Sequence, residues 1–262
     1  SSFIKIRFEL KYILVFVAVY VTCLILMNLG KAIAKIFKIK NKYFPFMLTG
    51  FEAGMIGYTL FVTAYGSNMY STFGIVDIGQ VSFVFTIMVP AILAMEGSTQ
   101  NESKLVTSAK TAAKSPVVWA IVLGLALSIV GVWRFEETSA YETLASVFAI
   151  ISAPTGFLIC LVIGNGLKLS FKGMKIEILT NVIRFALTLL FATIINIFVF
   201  DKIGMDEIYT KALYVMFILP APFVIPAFMY NPTEEDKSYV ANTLSIGTLM
   251  SLAGFIIYTT LF

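Results

Sequence analysis

The chain has 262 residues, of which 59% are hydrophobic and only 13% charged, with a formal charge of +4 and no histidine. A soluble domain carries roughly 45–50% apolar and about 25% charged residues, so a single water-facing core cannot bury this much Leu, Ile, Val and Phe, and a mean hydropathy of +0.90 points to lipid. Without His there is no imidazole acid–base chemistry and no His metal ligand, and Cys23 and Cys160 both lie in apolar runs that suggest neither a disulfide framework nor a zinc site.

A spanning helix needs about 20 apolar residues, and eight such stretches follow one another: 12–29, 43–65, 72–95, 116–133, 144–164, 179–200, 208–229 and 239–262. Lys31, Lys35, Lys38, Lys40 and Lys42 follow the first. Lys104, Lys110 and Lys114 follow the third, and Lys168, Lys172 and Lys175 the fifth. Cytoplasmic links carry the excess of Lys and Arg, so these three links are assigned to the cytoplasm and the C-terminus outside. The acidic seventh link (Glu234, Glu235, Asp236, Lys237) and the basic opening (Lys5, Arg7, Lys11) fit this orientation less well. The longest link, 96–115, reads as a cytoplasmic connector between a first repeat at 1–95 and a second at 116–262. The chain opens on Ser1-Ser2 with no signal peptide, which raises the expectation that an N-terminal piece is missing.

Two spans are interrupted. The second reads Gly50-Phe51-Glu52-Ala53-Gly54-Met55-Ile56-Gly57 and the seventh Leu219-Pro220-Ala221-Pro222-Phe223-Val224-Ile225-Pro226. Each proline removes an N–H and collides with the carbonyl four residues back, so three within seven residues cannot occupy one continuous helix. Freed backbone groups survive at membrane depth only inside protein or along a wet cavity, and transporters pair such breaks in inverted repeats around a midplane site. The bland alternative is a packing kink with close helix contact. After each break comes a span with polar interior positions: Asp77, Gln80 and Ser82, then Asn242, Thr243, Ser245, Thr248 and Ser251. Spans one to three thus match spans six to eight. Two helices are then expected before Ser1, giving two inverted five-helix repeats in an all-α bundle.

Glu52, Asp77 and Arg184 are the charged residues lying more than one helical turn inside their spans, where charge is costly and usually functional. Glu52 lies within the glycine-rich break and is read as a protonation site, a cation ligand or a cap on broken-helix amides. Asp77 lines the site or faces the outer water. Arg184, near a span end, is expected to snorkel or to attract an anion. The turn Gly164-Asn165-Gly166 reads as a helix stop.

These residues carry a resemblance to the auxin efflux carrier family, which includes bacterial malate and malonate permeases and whose fold is similar to that of bile acid/sodium symporters. Phe51-Glu52-Ala53-Gly54-Met55-Ile56-Gly57-Tyr58-Thr59-Leu60 resembles the family's G-N-T-G-F-L-G-L-P-L, with Gly54 and Gly57 on the inner glycines, Glu52 on the Asn and Thr59 on the Pro. Asp77-Ile78-Gly79-Gln80 resembles D-x-G-N, Ser115-Pro116 with Leu123-Gly124-Leu125 the opening N-P…L-G-L, and Ala153-Pro154 with 161–167 A-P…G-x-x-L. Segment 220–230 and Asn242-Thr243-Leu244-Ser245 resemble the last two helices. The resemblance implies crossing broken helices and alternating-access transport of small carboxylates across the cell membrane. Coupling to H⁺ or Na⁺ gains weight because Glu52 replaces Asn and would repel an anion unless protonated or paired with a cation. It places the substrate or coupling site at Glu52, Gly54, Gly57, Asp77, Gln80, Pro220, Pro222, Pro226, Asn242 and Ser245. No cofactor, resident metal or nucleic-acid partner is expected. Dimers are common in related folds, so a homodimer belongs to the expectation, although no residue pattern marks an interface. The alternatives are a transporter-like solute sensor or channel-like facilitator and, third, an intramembrane enzyme limited to the carboxylates of Glu52 and Asp77.

Overall fold

The computed structural model describes residues 9–95, 138–152, 174–229 and 232–262, together with the isolated positions 119, 123 and 154. All of the fourth expected span except Trp119 and Leu123, the 96–115 connector, most of the fifth span, Cys160 and the Gly164-Asn165-Gly166 turn lie outside these residues. So do Ser115-Pro116 and most of the Ala153-Pro154 and 161–167 pattern. Among the described residues the chain is all-helical.

The helices are α1 Lys11–Ile36, α2 Phe44–Met47, α3 Ala53–Tyr65, α4 Tyr70–Met95, α5 Ser139–Ser152, α6 Lys175–Ile203, α7 Glu207–Ile218, α8 Val224–Ala227 and α9 Glu234–Leu261. Four of them, α1, α4, α6 and α9, are long and apolar enough to cross a membrane. α3 opens with a π-helical turn, Ala53–Gly57. α4 stays continuous through Pro90 by widening into a π-turn at Val84–Met88, which absorbs the missing proline N–H. α1 runs beyond the expected end at residue 29 and carries Lys31 and Lys35 on its last turns. α9 starts five residues before the expected 239, because Thr233 and Asp236 form a reciprocal capping box.

Which faces are buried identifies the surrounding solvent. On α6 the buried positions include Glu177, Thr180, Asn181, Arg184 and Thr188, while Ile178, Leu179, Val182, Leu190 and Phe198 are exposed. Polar inside and apolar outside is the reverse of a water-soluble helix and the pattern of one that meets lipid. These are the helices of a membrane protein.

α1 packs along α4, α6 along α7 and α9, and α7 along α4, so the two broken pairs, α2–α3 and α7–α8, are enclosed by long helices. At one end Asp236, at the start of α9, accepts from Asn41 at 3.3 Å and faces Lys42 at 3.7 Å. The acidic link that fitted the charge pattern poorly thus meets a basic one. At the other end the Tyr12 and Tyr209 hydroxyls lie 3.1 Å apart and Lys211 sits over the Tyr65 ring.

Candidate functional site at the crossing of two broken helices

The two breaks lie directly against each other. α2 ends at Met47, and the chain turns through Gly50 at φ +66° before entering α3 at Ala53. α7 ends at Ile218, Leu219 is extended, and the chain re-enters a helical turn at Val224. The Glu52 N–H donates to the Pro220 carbonyl at 3.0 Å, so the two irregular segments satisfy part of each other's backbone. A Cβ on Gly50 would sit 2.7 Å from Cγ of Pro222. The Phe51 and Phe217 rings pack 4.5 Å apart beneath this contact.

Four half-helix ends therefore converge, and their charge is compensated by two side chains. Glu52, 7% exposed, caps the incoming ends: its carboxylate accepts from the Met55 N–H at 3.2 Å, in the first turn of α3, and from the Phe223 N–H just before α8. Anions are favoured at helix N-termini. α8 is one turn long, so its contribution is a local amide rather than a macrodipole. Arg184, 1% exposed, caps the outgoing ends. Its guanidinium donates to the carbonyls of Met47 (3.0 Å), Thr49 (3.5 Å) and Gly50 beyond α2, and of Leu219 (3.1 Å) beyond α7. It also stacks on the Phe51 ring, 5.2 Å from its centroid. Cations are favoured at helix C-termini, and a planar five-donor fork can serve several carbonyls at once. The expectation that Arg184 snorkels is corrected: the side chain turns inward, because the carbonyls orphaned by both breaks lie on that side.

A second polar chain leads away from the crossing. Gln80 accepts from the Phe51 N–H at 3.2 Å and donates to Asp77 at 2.7 Å, and Asp77 accepts from the Tyr58 hydroxyl at 3.2 Å. Asp77 is buried and does not face outer water. Tyr58 joins the site unforeseen, one helical turn after Gly54.

The remaining candidates divide. The Pro220 carbonyl and the Pro222 ring form the crossing itself. Gly57 is a packing position, pressed against the Leu219 side chain and the Phe73 ring. Gly54 is open: among the described residues only the Glu52 carboxylate is near, at 3.9 Å from a Cβ position, and the adjacent Met55 is exposed. Pro226 is exposed in the middle of α8, past the crossing. Asn242 and Ser245 are buried, but their hydrogen bonds stay within α9, to Ser238 and Ala241. The signal for Arg184 was present in the sequence. Glu177, Thr180, Asn181, Arg184 and Thr188 recur at three- and four-residue spacing, a polar stripe through an apolar span.

No family model, curated protein or solved structure matches this chain.

Proposed function

We propose that the protein is a secondary transporter of small organic acids that works by alternating access in the cell membrane, with Glu52 as its coupling group. The observation that carries this reading is the Glu52 carboxylate, which bridges amides from both broken helices at the point where they cross. A substrate carboxylate would seek those same amides. With Glu52 ionised, the amides are taken and an approaching anion is repelled. A proton on Glu52 weakens its hold on the Met55 and Phe223 N–H groups and removes the repulsion, so the substrate carboxylate takes them over. Proton and substrate then cross together, the proton on Glu52 offsetting one of the substrate's carboxylate charges, and release of both restores the bridge. The open side of Gly54 and Met55 supplies an approach. The order of long helix, broken pair, long helix occurs in α1 to α4 and again in α6 to α9, which supports an inverted repeat.

The test is uptake of labelled malate by the protein in liposomes, with and without an inward proton gradient, for wild type and Glu52→Gln. Gradient-driven accumulation in wild type that falls at least tenfold in Glu52→Gln supports the reading. Accumulation with unchanged pH dependence in Glu52→Gln removes Glu52 from coupling. Absence of accumulation under proton and sodium gradients alike removes malate as the substrate.

A further inference from the structure

A second buried polar group lies between α6 and α9, its Asn181 end beside Gly247, which faces Pro220 of the crossing. Two hydrogen bonds hold one turn of each helix side by side. The Thr180 hydroxyl donates to the Ile176 carbonyl at 2.7 Å, so at 2.9 Å it must accept from the Tyr239 hydroxyl, leaving the Tyr239 oxygen with free lone pairs. The Asn181 amide nitrogen donates to the carbonyls of Glu177 and Thr243, both at 3.0 Å. Both amide hydrogens are thereby used, which fixes the Asn181 amide with its oxygen turned towards Gly247. Glu177 Oε2, Asn181 Oδ1 and Thr243 Oγ1 are all buried; among the described residues Glu177 Oε2 and Asn181 Oδ1 have no hydrogen-bond partner, and Thr243 Oγ1 faces the Tyr239 hydroxyl one turn back without forming a well-aligned bond. Glu177 is 7% exposed, Asn181 1% and Thr243 2%. Among the described residues no cation pairs with Glu177.

Such groups are expensive. A buried polar atom without a partner costs about 1–3 kcal/mol, and more when charged. Here the unpaired atoms are all oxygens, within one turn on each of two facing helices, and carry a single carboxylate charge. The Thr180 and Tyr239 hydroxyl hydrogens and both Asn181 amide hydrogens are already used, and the single Thr243 hydroxyl hydrogen cannot serve Glu177 Oε2 and Asn181 Oδ1 together. A hard cation can, because carboxylate, amide carbonyl and hydroxyl oxygens are its ligands. One carboxylate among neutral oxygens matches one positive charge, whereas divalent sites collect several carboxylates.

We propose that Glu177, Asn181, Tyr239 and Thr243 form a binding site for a monovalent cation of the sodium class, clamping α6 to α9. The site stands on its own observations and does not depend on the transport reading. α6 also carries Arg184, one to two turns further on, so cation binding would steady the helix that caps the outgoing ends at the crossing.

The experiment is thermal unfolding of the full chain in detergent against sodium chloride, with choline chloride holding ionic strength constant, alongside equilibrium binding of radioactive sodium. The expected result is saturable sodium binding and a rise in Tm of roughly 3–6 °C at about ten times the dissociation constant. Both are lost in Glu177→Gln and in Thr243→Val and kept in Glu52→Gln. Absence of saturable binding in wild type overturns the proposal whether or not the variants fold. Equal stabilisation by choline, binding that persists in Glu177→Gln, or binding that is lost in Glu52→Gln overturns it as well, the last by placing the ion at the crossing.

Discussion

Gly50 shows how much one residue carries at the crossing. Its φ of +66° is left-handed, and its missing side chain is the space that the Pro222 ring occupies. Gly50→Ala meets both obstacles, about 1–2 kcal/mol for the backbone and about 1–3 kcal/mol for overpacking. A Tm decrease of roughly 4–20 °C is expected in a detergent melt, and an unchanged Tm would mean that the breaks are not held this tightly. Arg184 is the more severe case. Arg184→Met keeps much of the volume but orphans carbonyls at the ends of α2 and α7, so a loss of about 3 kcal/mol or more is expected. Arg184→Lys should recover little of it, because a point ammonium cannot span carbonyls on two segments. Rescue by lysine to wild-type Tm would show that charge alone matters there. The sequence made Glu52 conspicuous through its glycines, whereas Arg184, in an otherwise ordinary span, had only the faint polar stripe around it.

Broken helices were the most legible elements. Clustered Gly and Pro cannot hide in an apolar run, and the structure breaks the backbone at Gly50 and at Leu219-Pro220, where those clusters lie. Their polar neighbours were less legible. Asp77 and Gln80 are three residues apart on α4, a spacing that puts them on one face without indicating what that face meets. It meets the Phe51 N–H, which the break leaves without a helical partner, and the Tyr58 hydroxyl. Gln80→Leu should therefore orphan a backbone donor at the crossing and cost about 1–3 kcal/mol. Asp77→Asn should cost a similar amount, because its amide oxygen can still accept from Tyr58 but its NH2 then faces the Gln80 Nε2 donor. The two positions share one network, so a double-mutant cycle should show coupling of about 0.5–3 kcal/mol. Additive losses would separate Asp77 from the crossing. Helix ends were least legible: the start of α9 follows a Thr233–Asp236 capping box that hydropathy, averaged over a whole span, does not register.

At the scale of the molecule, the division into long and broken helices could be read from composition, because lipid demands apolar length and only protein-enclosed backbone escapes helical pairing. The pairing of the breaks could not. Nothing in either segment says that the Glu52 N–H finds the Pro220 carbonyl, since contacts between residues so far apart in the chain are set by the packing of the helices around them. That packing also defines the last prediction. The crossing is closed by Phe51, Phe217, Arg184 and the two breaks on one side, and open at Gly54 and Met55 on the other. A carrier with such a site presents it to one compartment at a time. In a Cys160→Ser background, with Cys23 fully buried, Met55→Cys should react with a membrane-impermeant thiol reagent in oriented vesicles. Substrate with an inward proton gradient should change that rate at least threefold, and the same additions should leave the rate unchanged in Met55→Cys combined with Glu52→Gln. A rate indifferent to substrate and gradient in both proteins would describe a static cleft, and alternating access around Glu52 would have to be abandoned.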